Sequence, residues 1–495
     1  MSKKVISVIC GLMTVSMLLT FVSCGKRDGQ TEQSESDVVD NTGSQVETDE
    51  NGFVLDSIPD DIDYGGKEVG IFGWSGGGET DFDTQSGTEV PAALYKRNVT
   101  VEERLGVKLR FDTSLNGGNA NRAEYITSVE TVLSGSTEYD LIAAYSMNAA
   151  SLAMDGYLVD LGQKAQIQFE GKPWWSQDIF ENAMINGKLY FASGPISPTL
   201  LFETMTILVN LDMCDEYLLE DPRYLAKDYK WTMDKMFEMS KNIGEDISGD
   251  GKDKTDKYGI VMSNVLVDGF VASNGIRYLD TSMDQTTGKE KLCIDEDFDN
   301  GLKAIGIIER ISSELKTSDA WLTSYDESAD VFSKGNALFL TGSFAVVKTT
   351  KDKIGFNYGY LPYPMADVDQ QRYYSTSGFP YSMWGIPKAS LDTDCAAYVM
   401  ECLASESYRI VQPEIYETVQ FKYSKDAINA EMFELIIGSM TYDYGRLFHN
   451  NFEYRRSPVF TFRGTITEGS NFTTNISSNR KHINGILDKI NAMFS

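Results

Sequence analysis

Histidine is nearly missing from this chain: His449 and His482 are the two in 495 residues. That leaves little for a histidine-based zinc site or for a Ser-His-Asp triad. Cysteine is sparse as well, six in all, and Cys10 and Cys24 belong to the export segment described below. The other four, Cys214, Cys293, Cys395 and Cys402, show no CxxC and no paired metal spacing. Cys395 and Cys402 lie seven apart in a helix-like stretch, about 10 Å along one straight helix and too far apart for a disulfide. All four are expected to be buried free thiols. Positive charge is also short, with 44 Lys and Arg against 73 Asp and Glu for a net charge of −29. Nucleic acid demands a basic face, so that class of partner is excluded. An anionic membrane surface is disfavoured for the same reason.

What is there begins at the N-terminus. Lys3 and Lys4 lead an apolar run from Val5 to Val22 that closes on Phe21-Val22-Ser23-Cys24-Gly25. A basic head, an apolar stretch and small residues before a cysteine describe a secretory signal peptide ending in a lipoprotein processing box. The thiol is required because it takes a thioether-linked diacylglycerol. Cleavage of 1–23 then leaves Cys24 as the lipidated N-terminus, and three acyl chains grip a membrane better than one. A plain signal peptide or an anchor helix is the alternative; Phe21 stands where an aliphatic residue is usual. Residues 24–61 are rich in Ser, Thr, Gln, Gly, Asp and Glu, a composition that supports no packed core, and are expected to form a flexible acidic tether.

From Ile62 onward strands and helices alternate. Lys67–Gly73 reads as a strand, Glu89–Leu105 as an amphipathic helix stopped by Gly106, and Val107–Phe111 as a second strand. A helix over 122–134, an apolar strand over 139–144 and a short helix over 149–155 repeat the rhythm. Further strands are expected over 187–192, 204–210, 336–340 and 356–361, and helices over 231–243, 392–404 and 479–493. Such alternation implies an α/β fold with a mostly parallel sheet covered on both faces. The chain shows no long internal repeat.

Several local stretches, in order, resemble the extracellular solute-binding proteins of ABC importers, of the maltodextrin-binding type. They are Tyr139-Asp140-Leu141-Ile142 with Asp155-Gly156-Tyr157-Leu158-Val159-Asp160-Leu161, and Ile185-Asn186-Gly187-Lys188-Leu189-Tyr190-Phe191. Phe332-Ser333-Lys334-Gly335-Asn336-Ala337-Leu338-Phe339 with Thr341-Gly342-Ser343-Phe344, and Gly359-Tyr360-Leu361-Pro362-Tyr363-Pro364, complete the set. The resemblance covers about 62–495. It implies a two-lobed periplasmic-binding-protein-like fold of type II, its lobes joined by crossing hinge strands and closing around a ligand. The implied order is lobe 1 over 62–196, lobe 2 over 197–358, a return to lobe 1 over 359–435, and lobe 2 with C-terminal helices over 436–495. The aromatic segment Phe379–Pro387 departs from the family pattern, and the extra length places insertions around 276–295.

Ligands of open α/β sheets collect at the carboxyl ends of strands. That rule selects Trp74 and Ser75, Tyr145 and Ser146, and Thr341–Phe344, which includes Ser343 and Phe344. Sugars present apolar faces edged by hydroxyls, so aromatic platforms beside polar groups suit them. Trp74, Tyr145, Trp174, Trp175, Trp231, Trp321, Phe344, Tyr381 and Trp384 are the candidate platforms, each competing with a role in core packing. Trp74 and Trp384 stand out by their glycine-containing loop contexts, and Trp231 is expected to pack against its own helix. Asp81, Asp83, Asn148, Glu203 and Arg446 are candidate hydroxyl partners. Separately, Asp246, Ser248 and Asp250 occupy positions one, three and five of a calcium-type loop, with Gly251 at six, the Lys252 carbonyl following, and Asp256 near its end. Position twelve is Lys257 in place of the closing Glu, so the loop reads either as a Ca²⁺ site or as a plain polar turn. No other cofactor is expected.

Three functions compete. The first is a non-catalytic, membrane-tethered receptor that binds a carbohydrate, most plausibly an oligosaccharide, and delivers it to an ABC permease as a monomer on the outer face of a Gram-positive-type membrane. The second is a surface glycoside hydrolase, which needs two carboxylates roughly 5–10 Å apart; no compact motif names such a pair. The third, an adhesive lipoprotein, is disfavoured by the α/β rhythm. A peptide or other small solute fits the receptor fold equally well.

Overall fold

The computed structural model describes residues 47–76, 81–82, 89–115, 122–135, 138–419 and 426–495. The expected signal peptide over 1–23, the lipidation site Cys24, the first part of the tether and Asp83 lie outside the described residues.

Two sheets carry the molecule. The first contains β1 (Lys67–Phe72), β2 (Val107–Asp112), β3 (Leu141–Tyr145) and β11 (Ser382–Gly385), in the order β11-β3-β1-β2. β1 runs parallel to β2 and β3, and β11 closes the edge antiparallel to β3. The second contains β4 (Met205–Asn210), β5 (Tyr258–Ser263), β8 (Ala320–Thr323), β9 (Ala337–Ser343) and β10 (Tyr358–Leu361), in the order β10-β4-β9-β5-β8. Every residue of β3, β4, β5 and β9 is buried, as near-continuous apolar strands covered on both faces should be. A separate antiparallel hairpin, β6 (Leu279–Met283) and β7 (Glu290–Ile294), occupies the stretch where an insertion is expected.

Helices flank the sheets, among them α1 (Val90–Leu105), α2 (Ser146–Met154), α3 (Phe344–Thr350), α4 (Thr393–Glu406), α5 (Pro458–Glu468) and α6 (Phe472–Met493). α1 ends at Gly106 in the left-handed conformation, φ 61°, donating back to the Glu102 carbonyl. A side chain there would be strained, and its Cβ would collide with the Asp63 carboxylate.

Each sheet has its own hydrophobic core, and the chain passes between them more often than expected. It leaves the first core after Leu200 and enters the second at Leu201, returning between Tyr373 and Phe379. α4 belongs to the first core, but the π-helical turn Ser407–Val411 carries the chain back, and Val411, Ile415 and Ile436 pack in the second. Tyr442–Phe452 then lie in the first core, Val459–Ile476 in the second, and Ile483–Ile490 in the first, so α6 spans both.

Three expectations are corrected. The strand over 356–361 does not begin the return to lobe 1: β10 pairs with β4, Tyr358 opposite Asn210, at the edge of the second sheet. The segment 187–192 is not a strand: Lys188 bridges Ile185, and Ala192 alone bridges Trp384 on the outer edge of β11. The tether does not extend to 61. Phe53 packs edge-on against Tyr408 at 5.3 Å, Ile58 is buried, and Asp56 sits between Arg104 (2.9 Å) and Arg409 (2.6 Å). Composition misled there, since a few apolar and ionic anchors suffice to dock an otherwise polar strap.

Candidate functional site

Where the two cores meet, Trp74 after β1 reaches Ser382, Ser146 after β3 reaches the Phe379 carbonyl, and Asp268 after β5 holds Arg446, which also bonds the Ser377 carbonyl. Asp81 is the centre of this junction. Its carboxylate accepts from the Thr199 amide at 2.8 Å and from the hydroxyls of Ser197, Thr199 and Ser382, each at 2.6 Å. Ser197 and Thr199 belong to the first crossing, and Ser382 begins β11 just after the second. Complete burial raises the Asp81 pKa, and the hydroxyl and amide donors pull against that rise. Arg97, on α1 and also fully buried, donates to the Ile196 carbonyl at 3.3 Å, the Ser407 hydroxyl at 3.2 Å and the Asp81 carbonyl at 3.3 Å. Burial lowers its pKa to about 10. One cation and one carboxylate thus bind three of the segments that join the lobes.

Of the residues selected from sequence, Trp74, Tyr145, Ser146 and Tyr381 come together here. Trp74 donates its indole N–H to the Ser382 hydroxyl at 3.1 Å and meets Tyr145 edge-on at 5.0 Å. Ser146 donates to the Phe379 carbonyl at 2.7 Å. Trp384 lies two residue pairs along β11 from Ser382, its ring 5.8 Å from Phe82. All five are buried, so in this conformation none presents an open stacking face; Ser75 is half-buried. Ser343 and Phe344 lie across the junction at the end of β9. Phe344 packs on Tyr360 and Phe433 in the second core, at 5.1 and 5.0 Å. Trp174 and Trp175 are core residues that donate to Glu401, and Trp231 donates to the Pro362 carbonyl from within the second core. Trp321, on β8, stacks on Tyr258 of β5, and Asn148 is buried on α2.

Residues that sequence reasoning passed over complete the junction. Asp268, wholly buried, accepts from the Nη1 of Arg446 and from both Nε (2.7 Å) and Nη2 (2.6 Å) of Arg463. The two guanidiniums lie over the Phe379 ring at 4.3 and 5.4 Å, and His449 stacks on that ring at 5.8 Å. Arg446 also donates to the Ser377 carbonyl of the second crossing at 2.7 Å. These two Arg charges hold Asp268 below the usual carboxylate range despite its burial. Two cavities of about 10 Å³ lie against this cluster, one lined by Ser146, Phe379, Tyr381 and Arg446, the other by Asp268, Tyr278, Asp443 and Arg446. Each has room for about one water, far less than a sugar ring requires. At the other end Glu203, between Thr199 and Gly378, is pushed up to about 7 by burial of its carboxyl, the Lys348 charge opposing. Of the charged groups at the junction, Asp81, Glu203 and Arg446 stood among the sequence candidates. Arg463 and Arg97 lie in ordinary helical patterns, and nothing in their spacing announces convergence.

The Asp246–Asp256 loop closes as a hydrogen-bonded turn. Asp256 accepts from the Ile247 and Asp253 amides, each at 2.9 Å, and Asp246 accepts from the Gly251 amide at 3.1 Å. Ser248 bridges to Asp250, and the Lys252 ammonium turns away to the carbonyls of Leu315 (3.0 Å) and Ala320 (2.7 Å). Several carboxylate oxygens that Ca²⁺ would use are therefore engaged by amides in this geometry.

No family model and no curated protein matches the sequence. Solved structures do. An ABC substrate-binding protein of Listeria monocytogenes in complex with cycloalternan is 14% identical, with a TM-score of 0.54, over 86% of this chain and 99% of its own. UgpB of Mycobacterium tuberculosis in complex with glycerophosphocholine is 14% identical, with a TM-score of 0.55, over 86% and 99%. A cyclo/maltodextrin-binding protein complexed with maltotetraose is 12% identical, with a TM-score of 0.53, over 85% and 97%.

Proposed function

We propose that this chain, which has the two-lobed α/β fold of ABC substrate-binding proteins, is a non-catalytic receptor that captures a carbohydrate between its lobes for an ABC permease. The observation that carries the reading is the junction itself. Groups suited to hydroxyl-rich ligands gather there: Asp81, Glu203, Arg446 and the rings of Tyr381 and Phe379. The ligands of the similar structures, cycloalternan and maltotetraose among them, support a sugar as the first class to test. Binding works by selection of the closed state, because only there do both lobes touch the ligand. Cavities of about 10 Å³ mean that the lobes must part before a sugar enters. Lipidation at Cys24 would tether the receptor outside the cell, with the segment up to the docked strap as its leash.

A thermal-shift screen of residues 25–495 against oligosaccharides, peptides and polyamines, with and without EDTA, tests this. A ligand at 100 times its Kd adds about 2.7 kcal/mol of stability. One responding sugar series with no loss of polymer supports the receptor. Turnover of the sugar would favour a glycoside hydrolase, and a response confined to peptides or polyamines would change the ligand class. Loss of stability in EDTA, restored by calcium, would assign a bound ion to the Asp246–Asp256 loop.

A further inference from the structure

The hairpin β6–β7 belongs to neither lobe alone. Its root is in the second lobe, where Tyr278 packs edge-on against Phe298 at 5.1 Å in the second core. Its body lies on the first lobe, whose core contains Leu279 and Leu292. Asp443, between Tyr442 and Tyr444 of the first core, grips the root by accepting from the Tyr278 amide at 2.5 Å and the Leu279 amide at 3.3 Å.

The free edge of β7 is closed by side chains of the first lobe. Asn186 donates to the Glu290 carbonyl and accepts from the Glu290 amide, both at 3.0 Å. Asn491, on α6, accepts from the Leu292 amide at 2.7 Å and donates to the Leu292 carbonyl at 3.0 Å. A carboxamide sets one donor beside one acceptor, so each Asn imitates the peptide group of a neighbouring strand. Glu290 and Leu292 are alternate residues, the spacing at which one strand edge presents its polar groups. Asn186 reaches this edge from a left-handed turn position, φ 51°, which Asn tolerates better than most residues. The chain terminus is drawn into the same place, with Asn186 also donating to the Phe494 carbonyl at 3.3 Å and the Tyr190 hydroxyl to that of Met493 at 3.0 Å. A lone two-stranded hairpin is marginal in water, so its order depends on these contacts.

We propose that the hairpin is a latch that makes the closed arrangement the resting state of the ligand-free protein, with Asn186 and Asn491 as its catch. The non-helical crossing between Tyr373 and Phe379 can absorb a rotation through φ and ψ. The catch cannot, because an N–H···O contact stretched past about 3.5 Å is no longer a hydrogen bond. Opening therefore either releases the two carboxamides or tears the hairpin from its root at Tyr278 and Phe298. This rests on the two-lobed receptor reading only for its consequence, that ligand entry waits on release of the latch.

Amide hydrogen exchange on the full ligand-free chain tests the latch without reference to any sugar. In N186A/N491A, peptides covering 286–295 are expected to exchange at least fivefold faster than in the parent. Peptides covering 376–381, at the junction and away from the catch, should follow, while β3, β4 and β9 keep their protection. Acceleration confined to 286–295 would overturn the proposal, because the contact would then be local; so would unchanged exchange throughout. If the double variant loses protection in β4 and β9, N186A alone gives the same comparison in a milder background. A negative result here leaves sugar binding untouched, and a protein that binds no sugar can still show the latch.

Discussion

Glu401 shows what a single buried carboxyl does to this molecule. It is fully buried on α4, where the indole N–H groups of Trp174 and Trp175 donate to it at 3.0 and 2.9 Å and the Gln168 amide at 3.3 Å. Burial outweighs these donors and, helped by the Asp56 charge, pushes its pKa up to about 7. An acid whose folded pKa lies above its unfolded value stabilises the fold while protonated, and that contribution fades as pH rises through about 7. Glu203, pushed up to about 7, and Asp443, pushed up to about 6, act in the same direction. The loss between pH 5 and 8 from Glu401 is on the order of 3 kcal/mol at most. Urea midpoints of E401Q and parent across that range should therefore converge. The variant should be weaker at pH 5 by about 1–3 kcal/mol, because an amide NH₂ meets an indole N–H, and near parity at pH 8. Parallel curves would show that another group carries the slope.

At the scale of elements, the docked strap is the clearest departure from what composition implies. Asp56 has a side chain 3% exposed and joins α1 through Arg104 to the end of α4 through Arg409 and Ser405 (2.7 Å). Those partners hold its carboxyl well below the usual range. Its stabilising contribution is therefore present above about pH 4 and lost as the protein is acidified. D56A should cost about 2–3 kcal/mol near neutral pH, less than a fully buried pair because Arg104 is partly solvated. A chain starting at Ile62 should unfold at lower urea than one starting at Glu47, having also lost Phe53 and Ile58; equal midpoints would mean that the strap only rests on the surface. Sequence pattern located β1, β2, β3, β4, β9 and α1 well, because each obeys one period over several residues. It failed where partners decide: the strap, β10 with its antiparallel pairing to β4, and the third passage through Ser407–Val411. The same holds for the site. Strand-end logic selected Trp74, Tyr145 and Ser146, which lie together in the structure, but the Asp268–Arg446–Arg463 cluster joins residues 178 and 195 positions apart, beyond the reach of local spacing.

The whole molecule has two sheets and two hydrophobic cores, which by themselves would suggest two independent folding units. The path of the chain argues otherwise. α1 begins with Val90 and Leu94 in the second core and ends with Val101 and Leu105 in the first, and α6 divides in the same sense between Phe472 and Ile490. Neither core can be emptied without disturbing a helix that completes the other. Arg97 and Asp81 add a buried polar knot between the crossings, in which removing any partner leaves an unsatisfied group out of water. The cooperative unit should therefore be the whole described body. Calorimetry of the ligand-free protein is expected to show one transition whose van't Hoff and calorimetric enthalpies agree, the signature of two-state unfolding. For a chain this long that agreement is demanding, since separable lobes would give a van't Hoff enthalpy near half the calorimetric value. A ratio near one half, or two resolved peaks, would mean that the shared helices fray before the cores melt, and that the lobes communicate only through the junction at Asp81.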